Sequence, residues 1–510
     1  LRVATYFQLF IIHCSLFTFH YSLFIIHYFI TDVSPFRKFL FLLSVLATLL
    51  CVAAVFPPAG IPVTESLTLY FPTLKKIFLP KAHKQNLAAE KIIQTLNRDT
   101  SETISTPTEE KIEFIIDSTD AMRLHYPENN KAVLYPLFEL LDSVKQHGGS
   151  IRILHYGDSQ IEEDRMTGVI RARLQQEFGG SGPGLMCPVP VAVPMSMHQS
   201  WSSNFERYVV FGNYWDQADH NRYGVMCAFS RYEGKSASLS FKQGRLSFEV
   251  SRNIQRVKIL YGYGESPTEA TLTADGVWQG SKLLRSGPGL NSVTWTLDST
   301  ANELNLQFSG ESPDIYAVAL DTKDGICVDN IPIRGSSGLD FTKVDSALLA
   351  ECIRELNVRA VILQFGGNVV PVIKGQKDLD WYRQAFAKQL AVFKNHGLHI
   401  IMIGLADMSK SVHGDMVSYP AVSQIRDITK EEVHKVGGVF WDMYEAMGGE
   451  NSMPEFVNAT PPLAIDDYIH FNREGAAKMA RLFVKSLMKD YNEYKMRMEL
   501  KSLLSNASAK

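Results

Sequence analysis

Two short segments, far apart in the chain, carry the residue types of nucleophilic catalysis. Gly157-Asp158-Ser159 follows Ile151 to Tyr156, which reads as a short strand, and Asp467-Tyr468-Ile469-His470 stands near the other end. A serine hydroxyl attacks an ester only when a neighbouring base takes its proton, and an imidazole base needs a carboxylate to hold its second nitrogen. An Asp three residues ahead of a His can reach the ring from the same turn. Ser159 is therefore the candidate nucleophile, His470 the base and Asp467 the orienting carboxylate. Asp466 competes for the last role, and spacing prefers Asp467 only slightly. The attack creates an oxyanion that fixed donors must meet. Ser159, at a strand end that opens a helix, offers its own amide. Asn368, in Gly366-Gly367-Asn368, follows the apolar run Val358 to Phe365, and Gly335 lies in the loop Asn330 to Gly338, where a bare backbone N–H can approach a substrate. Taken singly, each is equally a surface D-x-x-H, a Gly-rich turn or a plain loop.

The elements that would bring these residues together alternate between strand and helix. Met166, Val169, Ile170, Leu174 and Phe178 recur at helical steps after Ser159, and Gly179-Gly180 closes that helix. Further strands are expected over Val358–Phe365, an apolar run as expected of a parallel strand covered on both faces, and over Leu398–Leu405 and Gly438–Asp442. Helices are expected around Tyr382, Phe386, Leu390 and Phe393, over Val422–Val436, and from Arg473 to Lys489. The pattern predicts an α/β fold with a doubly wound parallel sheet. Between about Gln199 and Lys323 the pattern changes. Short alternating stretches, among them Ser238–Phe241, Arg245–Val250, Arg256–Leu260 and Glu303–Phe308, are separated by Gly, Pro, Ser and Asn, which predicts an inserted all-β sandwich.

Ahead of these lies a different kind of sequence. Residues 15–21 are echoed by 22–28, and we read 1–36 as an extension, either translated upstream sequence or a membrane segment. Arg37 and Lys38 precede an uncharged run of 18 residues, Phe39 to Phe56, and Pro57-Pro58 ends it. That length just spans a bilayer core, and the basic residues keep their end in the cytoplasm, so a transmembrane signal-anchor over 37–57 is expected, with a cleaved signal peptide as the competing reading. Residues 58–130 read as a stalk, with one helix over Lys84–Leu96 and a polar stretch over Asn97–Glu110. The two halves of the α/β domain are 131–198 and 324–492, the insert is 199–323, and 493–510 is a tail.

The chain has 510 residues, 51 Lys plus Arg and 54 Asp plus Glu, a net charge of −3. With no basic stripe among aromatics, nucleic acid is not an expected partner. The six cysteines form no C-x-x-C pair, so neither a zinc nor a redox site is expected, and buried free thiols are the default. The serine chemistry requires no cofactor or metal. Oligomeric state is not legible.

In the order Ser, Gly, Asn and Asp-x-x-His, the four blocks resemble the SGNH (GDSL-like) hydrolases, whose name lists those residues. The resemblance implies Ser159 as nucleophile, Gly335 and Asn368 as oxyanion donors, and Asp467 with His470 as the closing pair, over about Tyr135 to Asp490 apart from the insert. Two blocks depart from the usual pattern. The first reads Gly-Asp-Ser-Gln-Ile where Gly-Asp-Ser-Leu is commoner, and the third reads Gly-Gly-Asn-Val where Gly-x-Asn-Asp is usual. The β insertion and Phe440 to Gly449 look like peptidoglycan O-acetylesterases, in which a carbohydrate-binding-module-like domain interrupts the hydrolase domain. That resemblance implies O-acylated peptidoglycan or another polysaccharide as substrate, outside the cytoplasm of a bacterium. Two alternatives stay open. A sugar hydroxyl in place of water would make an O-acetyltransferase, and a non-catalytic glycan-binding protein could use Trp201, Trp215 and Trp278, although such residues are more often sandwich core.

Overall fold

The computed structural model describes residues 34–57, 61–62, 68–69, 86–98, 122–213, 216–412 and 414–508. The repeat over 15–28, most of the polar stretch after Asn97, and Trp215 lie outside the described residues. The chain divides into two units, 1–85 and 86–510. In the first, helix α1 (Pro35–Val55) begins on a proline and is the one described helix long and apolar enough to cross a membrane. Ile61–Pro62 pairs antiparallel with Thr68–Leu69.

The second unit is organised by a six-stranded sheet. Its strands are β1 (Leu124–His125), β2 (Ser150–Gly157), β3 (Gly325–Pro332), β4 (Val358–Gln364), β5 (His399–Ile403) and β6 (Val439–Trp441), in the spatial order β3-β2-β4-β5-β6-β1. The first five are parallel and β1 is antiparallel on the edge. The strand order reverses between β2 and β4, and in such sheets ligands bind at that point, beyond the carboxyl ends of the strands. Ser159 follows β2 and Asn368 follows β4.

Alternation along the strands sorts apolar side chains to two faces. Leu154, Tyr156, Val361, Leu363, Ile400 and Met402 meet helices α5 (Ser346–Glu355), α6 (Gln376–Asn395) and α7 (Ala421–Lys435). Ile151, Ile153, Ala360, Ile362, Ile401 and Ile403 meet α2 (Leu87–Arg98), α3 (Tyr135–His147), α4 (Thr167–Phe178) and α8 (Arg473–Ser508). Sheet residues buried on both sides explain the continuous apolar runs. Helix α2 is docked, not extended into solvent: Asn86 donates to the carbonyls of Gly448 and Glu450 at 2.9 Å each, and Lys478 donates to the carbonyl of Leu96 at 2.6 Å.

Between α4 and β3 the chain forms two antiparallel sheets. One contains Arg256–Gly264, Gly287–Thr296 and Asp314–Asp321, the other Ser236–Gln243, Thr268–Ala274, Val277–Leu284 and Glu303–Ser309. Leu239, Phe241, Ile259, Leu272, Leu306 and Val318 form the core between them. On Asp314–Asp321, Tyr316, Ala317 and Ala319 join instead the core of the α5–α6 face. Strand pairing already begins at Gly184–Met186 and Met197–Trp201, earlier than the sequence pattern suggested.

Three local expectations need correction. Arg245–Val250 is not a strand: it turns, passes into a short 3₁₀ segment from Glu249, and lays Phe248 against the α3–α4 side. The last helix does not stop at Lys489. Residues 490–508 contain no Gly or Pro, and Tyr491 and Tyr494 pack on Phe138 with ring centroids 5.6 Å away. Ser159 does not open the α-helix either. It begins a 3₁₀ segment, Ser159–Asp164, broken by Glu162 and by Glu163 at φ 58°, and α4 starts only at Thr167. Among the described residues, five cysteines are free, with Cys227, Cys327 and Cys352 buried.

Candidate active site

Asp158 shapes the turn that presents Ser159. Its Oδ1 accepts the Gln160 N–H at 3.0 Å, so the chain leaves β2 with a side-chain cap in place of a helical hydrogen bond. Burial pushes the Asp158 carboxyl up to about 6, against the Gln160 N–H, which favours the charged form. The Ser159 amide has no hydrogen-bond partner among the described residues, and neither has that of Gly335.

Ser159 Oγ lies 2.7 Å from His470 Nε2, and His470 Nδ1 lies 2.6 Å from Asp467 Oδ2. The other carboxylate oxygen, Oδ1, accepts the backbone N–H groups of Ile469 and His470 at 2.9 and 3.0 Å. Partial burial raises the Asp467 carboxyl, but the His470 ring and those two amides outweigh it and hold the group below its ordinary range. The turn puts Tyr468 at φ 59°, a left-handed conformation costly for a bulky residue and kept in part by the Ser409 N–H, which donates to the Tyr468 carbonyl at 2.9 Å. Asp466 is exposed and does not touch the ring. His155, on β2, is buried and pushed down to about 3, so it stays neutral.

Asn368 sits across from the nucleophile turn. Its amide donates to Asp158 Oδ2 at 3.2 Å and to the Ser336 carbonyl at 3.0 Å. Ser159, His470 and Asn368 line a small open cavity of about 150 Å³ together with apolar groups, including Pro371, Leu405, Met408 and Met443. Gly335 does not line it. It is held at φ 79°, where a Cβ would stand 3.3 Å from the Phe211 ring. The structure thus brings Ser159, His470, Asp467 and Asn368 into one connected group, with Gly335 one residue before the carbonyl that Asn368 holds.

Two positioning residues escaped the motif reading. Gln160 straps the histidine turn from both sides: its Nε2 donates to the Ile469 carbonyl at 2.7 Å, and its Oε1 accepts the Phe471 N–H at 3.4 Å. Arg165 donates to the carbonyls of Ser159 and Phe471 at 2.7 and 3.0 Å, tying the two turns together. The sequence did flag Gln160, as the residue that replaces the commoner Leu. Nothing local marked Arg165.

A solved structure of a peptidoglycan O-acetylesterase superposes with a TM-score of 0.58 at 20% identity, covering 70% of this chain and 96% of that one. The fold is that of an SGNH hydrolase. An acetylxylan esterase from Geobacillus stearothermophilus matches with a TM-score of 0.24 at 20% identity, over 32% of this chain and 72% of its own. A family two carbohydrate esterase from Cellvibrio japonicus matches with a TM-score of 0.23 at 8% identity, over 58% and 98%. No protein-family model and no curated protein matches the chain.

Proposed function

We propose that this chain is a membrane-anchored, extracytoplasmic serine esterase that removes O-acetyl groups from peptidoglycan or another polysaccharide. The observation that carries the reading is the hydrogen-bonded chain Ser159–His470–Asp467 at the reversal point of the sheet. A cavity of about 150 Å³ with largely apolar walls beside Ser159 accommodates an acetyl group, and the likeness to a peptidoglycan O-acetylesterase agrees with it. In this reading 131–198 and 324–492 form the catalytic part, 199–323 is an insertion to which the strands at 184–186 and 197–201 are added, and α1 is the anchor.

His470 Nε2 takes the Ser159 proton as Oγ adds to the ester carbonyl. The Ser159 and Gly335 amides and the Asn368 side chain meet the oxyanion; for Asn368 this means exchanging its 3.2 Å bond to Asp158. Collapse breaks the bond to the sugar oxygen, which leaves with the proton from Nε2. Water then adds to the acetyl-serine, giving its proton to His470, and acetate departs as Ser159 recovers it. Asp467 keeps the imidazole in the tautomer with its proton on Nδ1.

The test is acetate release by the full chain from an aryl acetate and from O-acetylated peptidoglycan, compared with Ser159→Ala. Release from both that disappears in the variant supports the proposal. Release that persists in Ser159→Ala removes the serine mechanism, and activity on the aryl ester alone removes peptidoglycan.

A further inference from the structure

The cavity at Ser159 is small, about 150 Å³, so a glycan of more than one sugar extends beyond it. A second, larger cavity, of about 510 Å³, lies beside the first. Its floor is the end of β3 and the residues after it, Ile331 to Arg334. Pro332 is the register partner of Gly157, and the Ile333 N–H donates to the Gly157 carbonyl at 2.7 Å. Neighbouring strands stand about 4.8 Å apart, so this floor runs alongside the turn that carries Ser159 two residues later. Phe211 lines the cavity, and a Cβ on Gly335 would stand 3.3 Å from its ring, so the proposed oxyanion donor lies close to this second space.

The polar groups of this cavity are unequally satisfied. Arg334 is forked onto Glu162, at 2.5 and 2.7 Å. Asp216, the one lining carboxylate among the described residues, accepts the Asn213 amide at 3.3 Å. Arg207 has no hydrogen-bond or ion-pair partner among the described residues, though it is half-buried on the strand Phe205–Val209. Gln199 donates to the carbonyls of Cys187 and Pro188, at 2.8 and 2.9 Å, which fixes its amide and leaves Oε1 buried with no donor. A free guanidinium fork calls for a carboxylate, and a waiting carbonyl calls for a hydroxyl. A sugar acid supplies both.

We propose that this cavity is a subsite for an acidic sugar, its carboxylate held by Arg207 and a hydroxyl by Gln199, beside the ester-cleaving centre. The assignment deepens the esterase reading and, for the cleavage it serves, rests on it. Substrates that carry a carboxylate near the acetylated position are then favoured over neutral ones.

The test uses the full chain on acetylated methyl glucuronoside and on the matched acetylated methyl glucoside. The acid is cleaved with a kcat/KM about tenfold higher or more, as expected of one charge-assisted contact, mainly through KM. Arg207→Gln removes the preference, and Arg207→Lys keeps part of it. No preference in the wild type, or one that survives Arg207→Gln, overturns the proposal. Calorimetric titration of full-chain Ser159→Ala with glucuronate, glucose and glucose 6-phosphate gives a second measurement that needs neither cleavage nor a folded Arg207 variant. Binding of glucuronate alone supports the assignment. Equal binding of all three, none, or phosphate alone overturns it. Failure of the esterase reading looks different: neither ester is cleaved in a Ser159-dependent way, whatever the titration gives.

Discussion

Replacing Gln160 by Leu, the residue commoner at this position, tests whether the histidine turn is held from the nucleophile side. The structure gives Gln160 two contacts, one strong at 2.7 Å to the Ile469 carbonyl and one long at 3.4 Å from the Phe471 N–H. Leu removes both and leaves a partly buried carbonyl without its donor, a loss of about 1–3 kcal/mol, most of it from the short bond. His470 keeps its bond to Asp467, and Arg165 still grips the Phe471 carbonyl, so the turn loosens and does not collapse. If half of that loss falls on the placement of Nε2 in the transition state, kcat falls by about two- to thirteenfold. The assay is steady-state hydrolysis of an aryl acetate over a range of concentrations. The expected signature is a lower kcat with KM little changed, because Gln160 bonds to the protein and not to the leaving group. Gln160→Glu should be worse than Leu, since it sets a carboxylate against the Ile469 carbonyl. A kcat within twofold of wild type for both variants would show that Asp467 and Arg165 suffice, and the strap argument would be wrong.

Asp467→Asn should lower kcat by about four orders of magnitude through loss of the correct tautomer, while Asp466→Asn, which touches nothing in the site, stays near wild type; equal effects would refute the assignment of the carboxylate. Asn368→Ala should cost about 2.7–4 kcal/mol in kcat/KM, roughly a hundredfold or more, measured on the same ester; near-normal rates would remove it from the oxyanion site. The Asp158 carboxyl is raised to about 6 in the folded chain, so its contribution to stability is present below its ordinary value and is lost as pH rises through 6. The unfolding free energy of Asp158→Asn relative to wild type should therefore shift by about 2 kcal/mol in favour of the variant between pH 4 and pH 8. Denaturant unfolding at both pH values checks this, and a difference that does not change with pH would be falsifying.

Much of this protein follows from its sequence because period and composition act locally. The largely apolar runs at 358–365 and 398–405, short and rich in β-branched residues, read as buried parallel strands, and Gly179, at φ 78°, ends α4 where an L-residue would be strained. The four blocks around Ser159, Gly335, Asn368 and His470 were visible because side-chain chemistry and order are one-dimensional. Other features needed three dimensions. Arg245–Val250 alternates like a strand, but no neighbour offers it a ladder and α4 offers Phe248 a surface, so burial wins over propensity. Tyr491 and Tyr494 prolong the last helix because α3 and α4 hold aromatic rings for them. The sequence put Asp466 and Asp467 almost level, and only the left-handed turn at Tyr468 decides which carboxylate faces the imidazole. Gln160, Arg165 and Arg207 belong to the same class. Each acts through partners distant in the chain, or through the lack of one, and a linear pattern holds no record of which side chains the sheet reversal brings within 3 Å of each other.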